Sequence, residues 1–312
     1  MVKFENNKAY NGLDGYFKKI FGKKVLKIAL DIGATCPNLD GTKSTKGCTF
    51  CSGGSGDFSA CGEDILEQFK RGKALVNKKW KDGHFMPYFQ SYTNTYLPVS
   101  YLKSKVDALV KEENVVGISI STRPDCISDD MLDYLESLSK TTFLIVELGL
   151  QSAKDATLEK INRGHTVKDF EVCFNRLKER GIKVCVHIVN GLIGETKEDM
   201  LNSAKYLAKL KPDFVKIHLL YFVNGTIDTL RYQNGEIKPL LKQEYIDILV
   251  SQIELLPPSV VIERLTGDGD KAKLIAPKYS ADKRGMLSAI DNAFRDRNTY
   301  QGRLFENSGE EN

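Results

Sequence analysis

Six apolar, β-branched runs, separated by segments of helical periodicity, constrain this chain more than any other feature. The runs read as strands at 25–33, 85–90, 115–121, 143–150, 184–190 and 214–221. The helices between them fall at 64–79, 99–111, 129–139, 167–179 and 197–210. Leu66, Phe69 and Leu75 belong to the apolar face of the first of these helices. Ser128 reads as a cap, Gly181 as a left-handed stop and Pro212 as a break. The strands are continuous apolar runs more than strict alternations, as expected when helices cover both faces of a parallel sheet. Six β-α steps require a barrel or a doubly wound sheet. No G-x-G-x-x-G follows the first run, which argues against a dinucleotide fold. The expected class is α/β, a partial (β/α)6 barrel with chemistry at the carboxyl ends of its strands.

Beyond 221 the pattern changes. A long helix is expected over 236–256, broken by Pro257-Pro258, then a possible strand at 260–265, a loop at 266–270 and an amphipathic helix at 281–297. Leu287, Ile290 and Phe294 form one stripe of that last helix. The domain reading is an N-terminal extension at 1–24, the barrel at 25–225, a helical C-terminal extension at 226–305 and an acidic frayed tail at 306–312.

The 312 residues are 41% hydrophobic and 28% charged, with a net charge of +4. This mild excess permits a nucleic-acid partner without requiring one. No apolar run approaches the ~18 residues of a membrane span, and the first ten residues carry no signal-peptide core. A cytoplasmic location without a membrane partner is expected. Seven cysteines, an odd number in so large a chain, do not read as a disulfide framework.

Three of the cysteines are grouped behind the first strand: Cys36, then 11 residues, then Cys48-Thr49-Phe50-Cys51. The C-x-x-C pair brings two thiolates to one centre. Pro37, Asn38, Gly41 and Gly47 make the preceding loop one of turns. Three thiolates without an obvious fourth ligand suit a [4Fe–4S] cluster with one open iron better than closed zinc. A zinc knuckle completed by Cys61 or a histidine remains the alternative. Cys126, Cys173 and Cys185 read as small buried residues.

The triplet, with its aromatic Phe50 and its place after the first strand, resembles the radical SAM (S-adenosylmethionine) superfamily. The resemblance runs along nearly the whole chain. It points to the elongator-catalytic-subunit-like branch and its small bacterial proteins of the YhcC/YtqA type. It implies a [4Fe–4S] cluster on Cys36, Cys48 and Cys51, and SAM as the second cofactor. It further implies SAM contacts at each strand end. Gln90-Ser91-Tyr92 stands where relatives carry a Gly-Gly-Glu-like segment. Ser121 stands in the slot facing the ribose. Gln151, in Gly149-Leu150-Gln151-Ser152, faces SAM. Arg163, in Asn162-Arg163-Gly164-His165, is the candidate partner of the SAM carboxylate. His187, Asn190 and Gly191 belong to the turn near the adenine, with Ile193 where relatives have proline. For His187 and His218 a plain core role is equally open, and His84 reads as surface.

The substrate side is expected after strands five and six and in the C-terminal region. Basic residues there, Lys271 to Arg303 with Tyr300 and Phe305 interleaved, fit either a tRNA-facing patch or a solvated helix. The branch implies work on carbon 5 of the tRNA wobble uridine. A chain of this length leaves no room for an acetyltransferase domain, so the implied step is maturation of carboxymethylaminomethyl- to aminomethyluridine. A flavodoxin or ferredoxin would supply electrons. A different radical SAM substrate, or a non-catalytic metal or iron–sulfur protein, are the alternatives.

Overall fold

The computed structural model describes residues 3–52, 64–267, 269 and 272–305. Cys61, Asp268, Asp270, Lys271 and the tail from residue 306 lie outside them. The elements are α1 (Leu13–Phe21), β1 (Val25–Leu30), α2 (Ile65–Asn77), β2 (His84–Phe89), α3 (Val99–Leu109), β3 (Gly117–Thr122), α4 (Asp129–Thr141) and β4 (Phe143–Gln151). They continue with α5 (Asp155–Lys160), α6 (Val167–Glu179), β5 (Lys183–Asn190), α7 (Lys197–Leu210), β6 (Phe214–Leu219), β7 (Phe222–Val223), α8 (Ile227–Gln233), α9 (Lys242–Leu255), β8 (Val261–Arg264), β9 (Leu274–Ala276) and α10 (Lys283–Asp296).

Seven strands form one sheet in the order β1-β2-β3-β4-β5-β6-β8. The pairs β1–β2, β2–β3, β3–β4 and β6–β8 run parallel. Six strands side by side in chain order, each reached through a helical crossover, are the topology of a partial (β/α) barrel. Helix starts are fixed locally. Asp64 and Ser128 cap α2 and α4, and Thr166 with Asp169 and Thr196 with Asp199 close capping boxes at α6 and α7. Gly181, at φ +71°, follows α6 as expected.

The chain divides into two compact units. One comprises residues 17–150 and 162–186, the other residues 1–16, 151–161 and 187–312. The first holds a buried polar column between its strands. Lys27 Nζ on β1 lies 2.7 Å from Glu147 Oε1 on β4, and the Ser119 hydroxyl donates to the same carboxylate at 2.5 Å. The Glu147 side chain is wholly shielded from water. Desolvation pushes the neighbouring Tyr88 phenol far above its ordinary pKa.

In the second unit the strand expected at 260–265 is present as β8, which pairs with β6 as the sheet's seventh strand, and Lys216 on β6 makes a buried 2.9 Å ion pair with Glu263 on β8. The N-terminal segment belongs there too. Gly12 bridges to Ile262, and the buried Gln301 amide donates to Pro257 and Val260 while accepting from the Asn11 N–H. The long helix expected from 236 begins only at Lys242, because Gly235 (φ +77°) and Pro239 interrupt the backbone ladder.

Glu147→Ala strands the Lys27 ammonium, so it should cost about 3–5 kcal/mol by urea unfolding. A loss below about 0.5 kcal/mol, ordinary for a surface change, would show that the column is not a structural element.

Candidate cofactor site

The loop after β1 is built from turns. The Asp31 backbone is gripped by the Gln68 side chain, which accepts from its N–H at 2.9 Å and donates to its carbonyl at 2.7 Å. The Cys36 carbonyl accepts from the N–H groups of Leu39 and Asp40. Cys51 N–H donates to the Cys48 carbonyl at 2.9 Å, so Cys48-Thr49-Phe50-Cys51 is a tight turn with Phe50 half-buried at its corner. Cys48 is buried, while Cys36 and Cys51 are partly open.

The long loop between Cys36 and Cys48 is latched to a second turn, Asn162-Arg163-Gly164. Asn38 Nδ2 donates to the Asn162 and Arg163 carbonyls at 2.6 and 3.1 Å. Asn162 Nδ2 answers by donating to the Gly47 carbonyl at 2.7 Å and Ser44 Oγ at 3.0 Å. Lys43 Nζ reaches the Gly164 carbonyl at 2.9 Å and Asp125 at 2.5 Å. The approach dictates Gly164: its φ is +74°, and a Cβ would stand 2.7 Å from Asn38 Oδ1.

Cations surround the sulfurs. Arg163 is buried; its Nη1 lies 3.5 Å from Cys48 Sγ and its Nη2 donates to the Gly149 carbonyl at 2.9 Å. Arg123, also buried, forms a two-pronged pair with Asp125 at 2.9 Å and feels the charge of Cys36 and Cys48. That pairing outweighs desolvation and holds the Asp125 carboxyl well below the usual range. Burial together with Arg163 lowers His165 to about 3, so it is neutral. Among the described residues, Arg163 Nε, Arg123 Nη1, Asn38 Oδ1 and His165 Nε2 are buried without a hydrogen-bond partner. Such groups cost free energy unless something polar meets them. Three thiol side chains beside the unpaired guanidinium N–H groups of Arg163 and Arg123 fit an anionic iron–sulfur group.

The segments after β2 and β3 are tied to this loop. Thr93 N–H donates to the Thr35 carbonyl, and Asn94 Nδ2 donates to the Phe89 and Ser121 carbonyls at 2.9 and 3.0 Å. Gln90 N–H donates to the Leu30 carbonyl at 3.2 Å. Ser91 is buried, and Tyr92 sits at φ +58°, an unusual backbone state for a bulky residue. Ser121 Oγ donates to the Tyr88 hydroxyl at 2.9 Å.

The other expected residues belong to the second compact unit. Gln151 ends β4 at φ +77°. His187 and His218, on β5 and β6, have ring centroids 5.4 Å apart. Gly191, at φ +90°, leaves 3.3 Å between a would-be Cβ and Leu240, so only glycine turns the chain there. Asn190 is buried, and its amide exchanges hydrogen bonds of 2.7 and 2.9 Å with Gln252, which joins β5 to α9. Glu195, in the turn before α7, accepts from the Ser152 hydroxyl; burial raises it to about 7.

Asn38, Asn162, Arg123, Asp125, Lys43 and Glu195 were legible only as neighbours of motifs. The available signal for Asn162 was its place before Arg-Gly, since asparagine tolerates the left-handed state it adopts here (φ +53°).

The strand order and this cysteine loop define a class, the partial-barrel enzymes that carry an iron–sulfur cluster behind their first strand. Residues 41–207 match the Radical SAM superfamily and residues 212–296 the Radical SAM C-terminal domain. The chain belongs to the radical SAM superfamily. It is 42% identical to the uncharacterized protein YtqA of Bacillus subtilis, over 97% of this chain and 95% of that one. It is 32% identical to the tRNA uridine(34) acetyltransferase of Methanocaldococcus jannaschii over 50% of this chain and 29% of that protein. Its fold superposes on Methanocaldococcus infernus Elp3 with a TM-score of 0.69 at 21% identity, covering 89% of this chain and 64% of that one. Members of the superfamily use a [4Fe–4S] cluster and SAM, and these are this chain's cofactors. No helix among the described residues is long and apolar enough to cross a membrane.

Gly164→Ala should lower the iron bound after anaerobic reconstitution while leaving the far-ultraviolet circular dichroism unchanged; full iron loading would show that the latch is dispensable. Glu195 has a raised folded pKa, so its favourable contribution is present below the ordinary carboxylate pKa and is lost as pH rises toward 7. Glu195→Gln should therefore gain melting temperature over wild type at pH 8 but not at pH 5. An equal offset at both pH values would refute the assignment.

Proposed function

We propose that this enzyme acts on the carbon-5 side chain of the tRNA wobble uridine, converting carboxymethylaminomethyl to aminomethyl. The observation that carries the substrate is the identity over half of this chain to a tRNA uridine(34) acetyltransferase, a name that puts its chemistry on uridine 34.

Cys36, Cys48 and Cys51 would hold the cluster through their three sulfurs, with SAM bound beside it. With both bound, the pair would supply a 5′-deoxyadenosyl radical able to take a hydrogen atom from the carboxymethyl carbon beside the nitrogen; return of one electron to the oxidised cluster and loss of a proton would leave an imine, and water adding to it would break the C–N bond, giving the aminomethyl group and releasing the two carbons as glyoxylate. Electrons come from a flavodoxin or ferredoxin.

The remaining assignments follow the family resemblance. Arg163 spends Nη1 on Cys48 and Nη2 on Gly149, leaving Nε for the SAM carboxylate. Phe50 covers the cluster. The Gln90-Ser91-Tyr92 segment meets the SAM amino group, and Ser121, oriented by Tyr88, meets the ribose. Gln151, His187 and Gly191 serve the nucleoside part of SAM. Asn190, held against Gln252 at the end of the same strand, belongs with them.

Two measurements test this. Reduced, reconstituted wild type should form 5′-deoxyadenosine from SAM and Cys48→Ala should not; equal formation by both would remove Cys48 from the cluster. Nucleoside mass spectrometry of tRNA from cells lacking the protein should show carboxymethylaminomethyluridine accumulating at the expense of aminomethyluridine. An unchanged wobble profile would dismiss the substrate.

A further inference from the structure

At the amino-terminal ends of β1 and β2, two lysine-rich segments distant in sequence meet. Lys23-Lys24 leads into β1, and Lys78-Lys79-Trp80-Lys81 lies between α2 and β2. Parallel pairing sets Val25 beside His84, and His84 N–H donates to the Lys24 carbonyl at 2.8 Å. Lys23 Nζ bonds Asp82 at 2.7 Å. The ammonium groups of Lys24 and Lys79 stand 4.5 and 5.3 Å from the Trp80 ring centroid. Trp80 is 41% exposed, although tryptophan is highly buried on average. It is also the chain's only tryptophan. The other acids at this end, Glu112 and Glu113, lie in the loop before β3. Asp82 is already engaged by Lys23.

We propose that this patch docks the backbone of an RNA stem, with Trp80 packing against the nucleic acid; the inference rests on the tRNA reading above and names where that RNA is held. The chemistry matches. Clustered lysines neutralise phosphates, and an exposed indole offers a face to a ribose or an unstacked base. The spacing matches as well. The six residues of β1 span roughly 20 Å, and the chain that leaves their far end carries Cys36. That span is shorter than one duplex turn of about 34 Å. A stem held at the patch thus has its loop within reach of the cysteine end of the same strand. An acidic electron-donor protein would satisfy the charge but not the location, since electrons must enter close to the cluster.

The test uses Trp80 as its own reporter. Total bacterial tRNA is titrated into the reconstituted full-length enzyme at several salt concentrations while tryptophan emission is followed, and affinity is measured in parallel by mobility shift. Wild type should bind with emission quenched. Lys79→Glu/Lys81→Glu should bind about tenfold more weakly with a salt slope shallower by about 2. RNA-independent formation of 5′-deoxyadenosine should be unchanged in that variant, which shows that it folds. Equal tRNA affinity in wild type and variant, with emission unmoved, would overturn the docking surface and leave the tRNA reading intact. No tRNA binding by wild type would overturn both. Quenching by reduced flavodoxin that the double variant abolishes, with tRNA binding unaffected, would assign the patch to the electron donor and overturn the proposal.

Discussion

The site depends on holding a long loop still. Eleven residues separate Cys36 from Cys48, and a loop of that length has many conformations to lose before two sulfurs can meet one cluster. The reciprocal exchange between Asn38 and Asn162 removes that freedom from both sides, because each amide bonds the backbone of the other's turn. Backbone-to-side-chain bonds of this kind fix position more tightly than apolar contact, since each is directional. Gly164 is the steric condition for the latch, and Lys43 closes it by joining the loop to both Gly164 and Asp125.

The same latch organises the charge. Anchoring residues 162–164 beside the loop delivers Arg163 to Cys48, while the neighbouring Arg123 is oriented by Asp125. Buried guanidinium groups are costly unless compensated. Here part of that compensation comes from the carboxylate and carbonyl partners, and part is left to the anionic group that three thiolates create. The neutral His165 adds polarity without a further charge. The loop is therefore shaped for a cluster by steric and electrostatic means together, which sequence spacing alone expresses only as three cysteines.

Much of the fold was legible because hydrophobic periodicity reports burial directly. All six barrel strands and five of the six helices between them fall where the apolar runs and caps put them; the short α5 does not announce itself in the sequence. Strands covered on both faces have to be apolar throughout, and helix stops need particular residues such as Gly181. The strand expected at 260–265 is β8, but what it pairs with was not legible, and only its register with β6 and its Lys216–Glu263 pair make it part of the sheet. Asn190 shows the same limit, since nothing in the sequence announces that Gln252 lies against it.

By itself the sequence determined the order of elements, the three cysteines and the family, because these depend on residue type and local spacing. Tertiary structure decided what each polar side chain faces. Arg163 became a neighbour of Cys48, Asn162 a clamp, and two separate lysine runs a single surface around Trp80. The physical reason is that hydrogen bonds and charges act over a few ångströms in space, and residues more than a hundred positions apart come within that range only when the chain is folded.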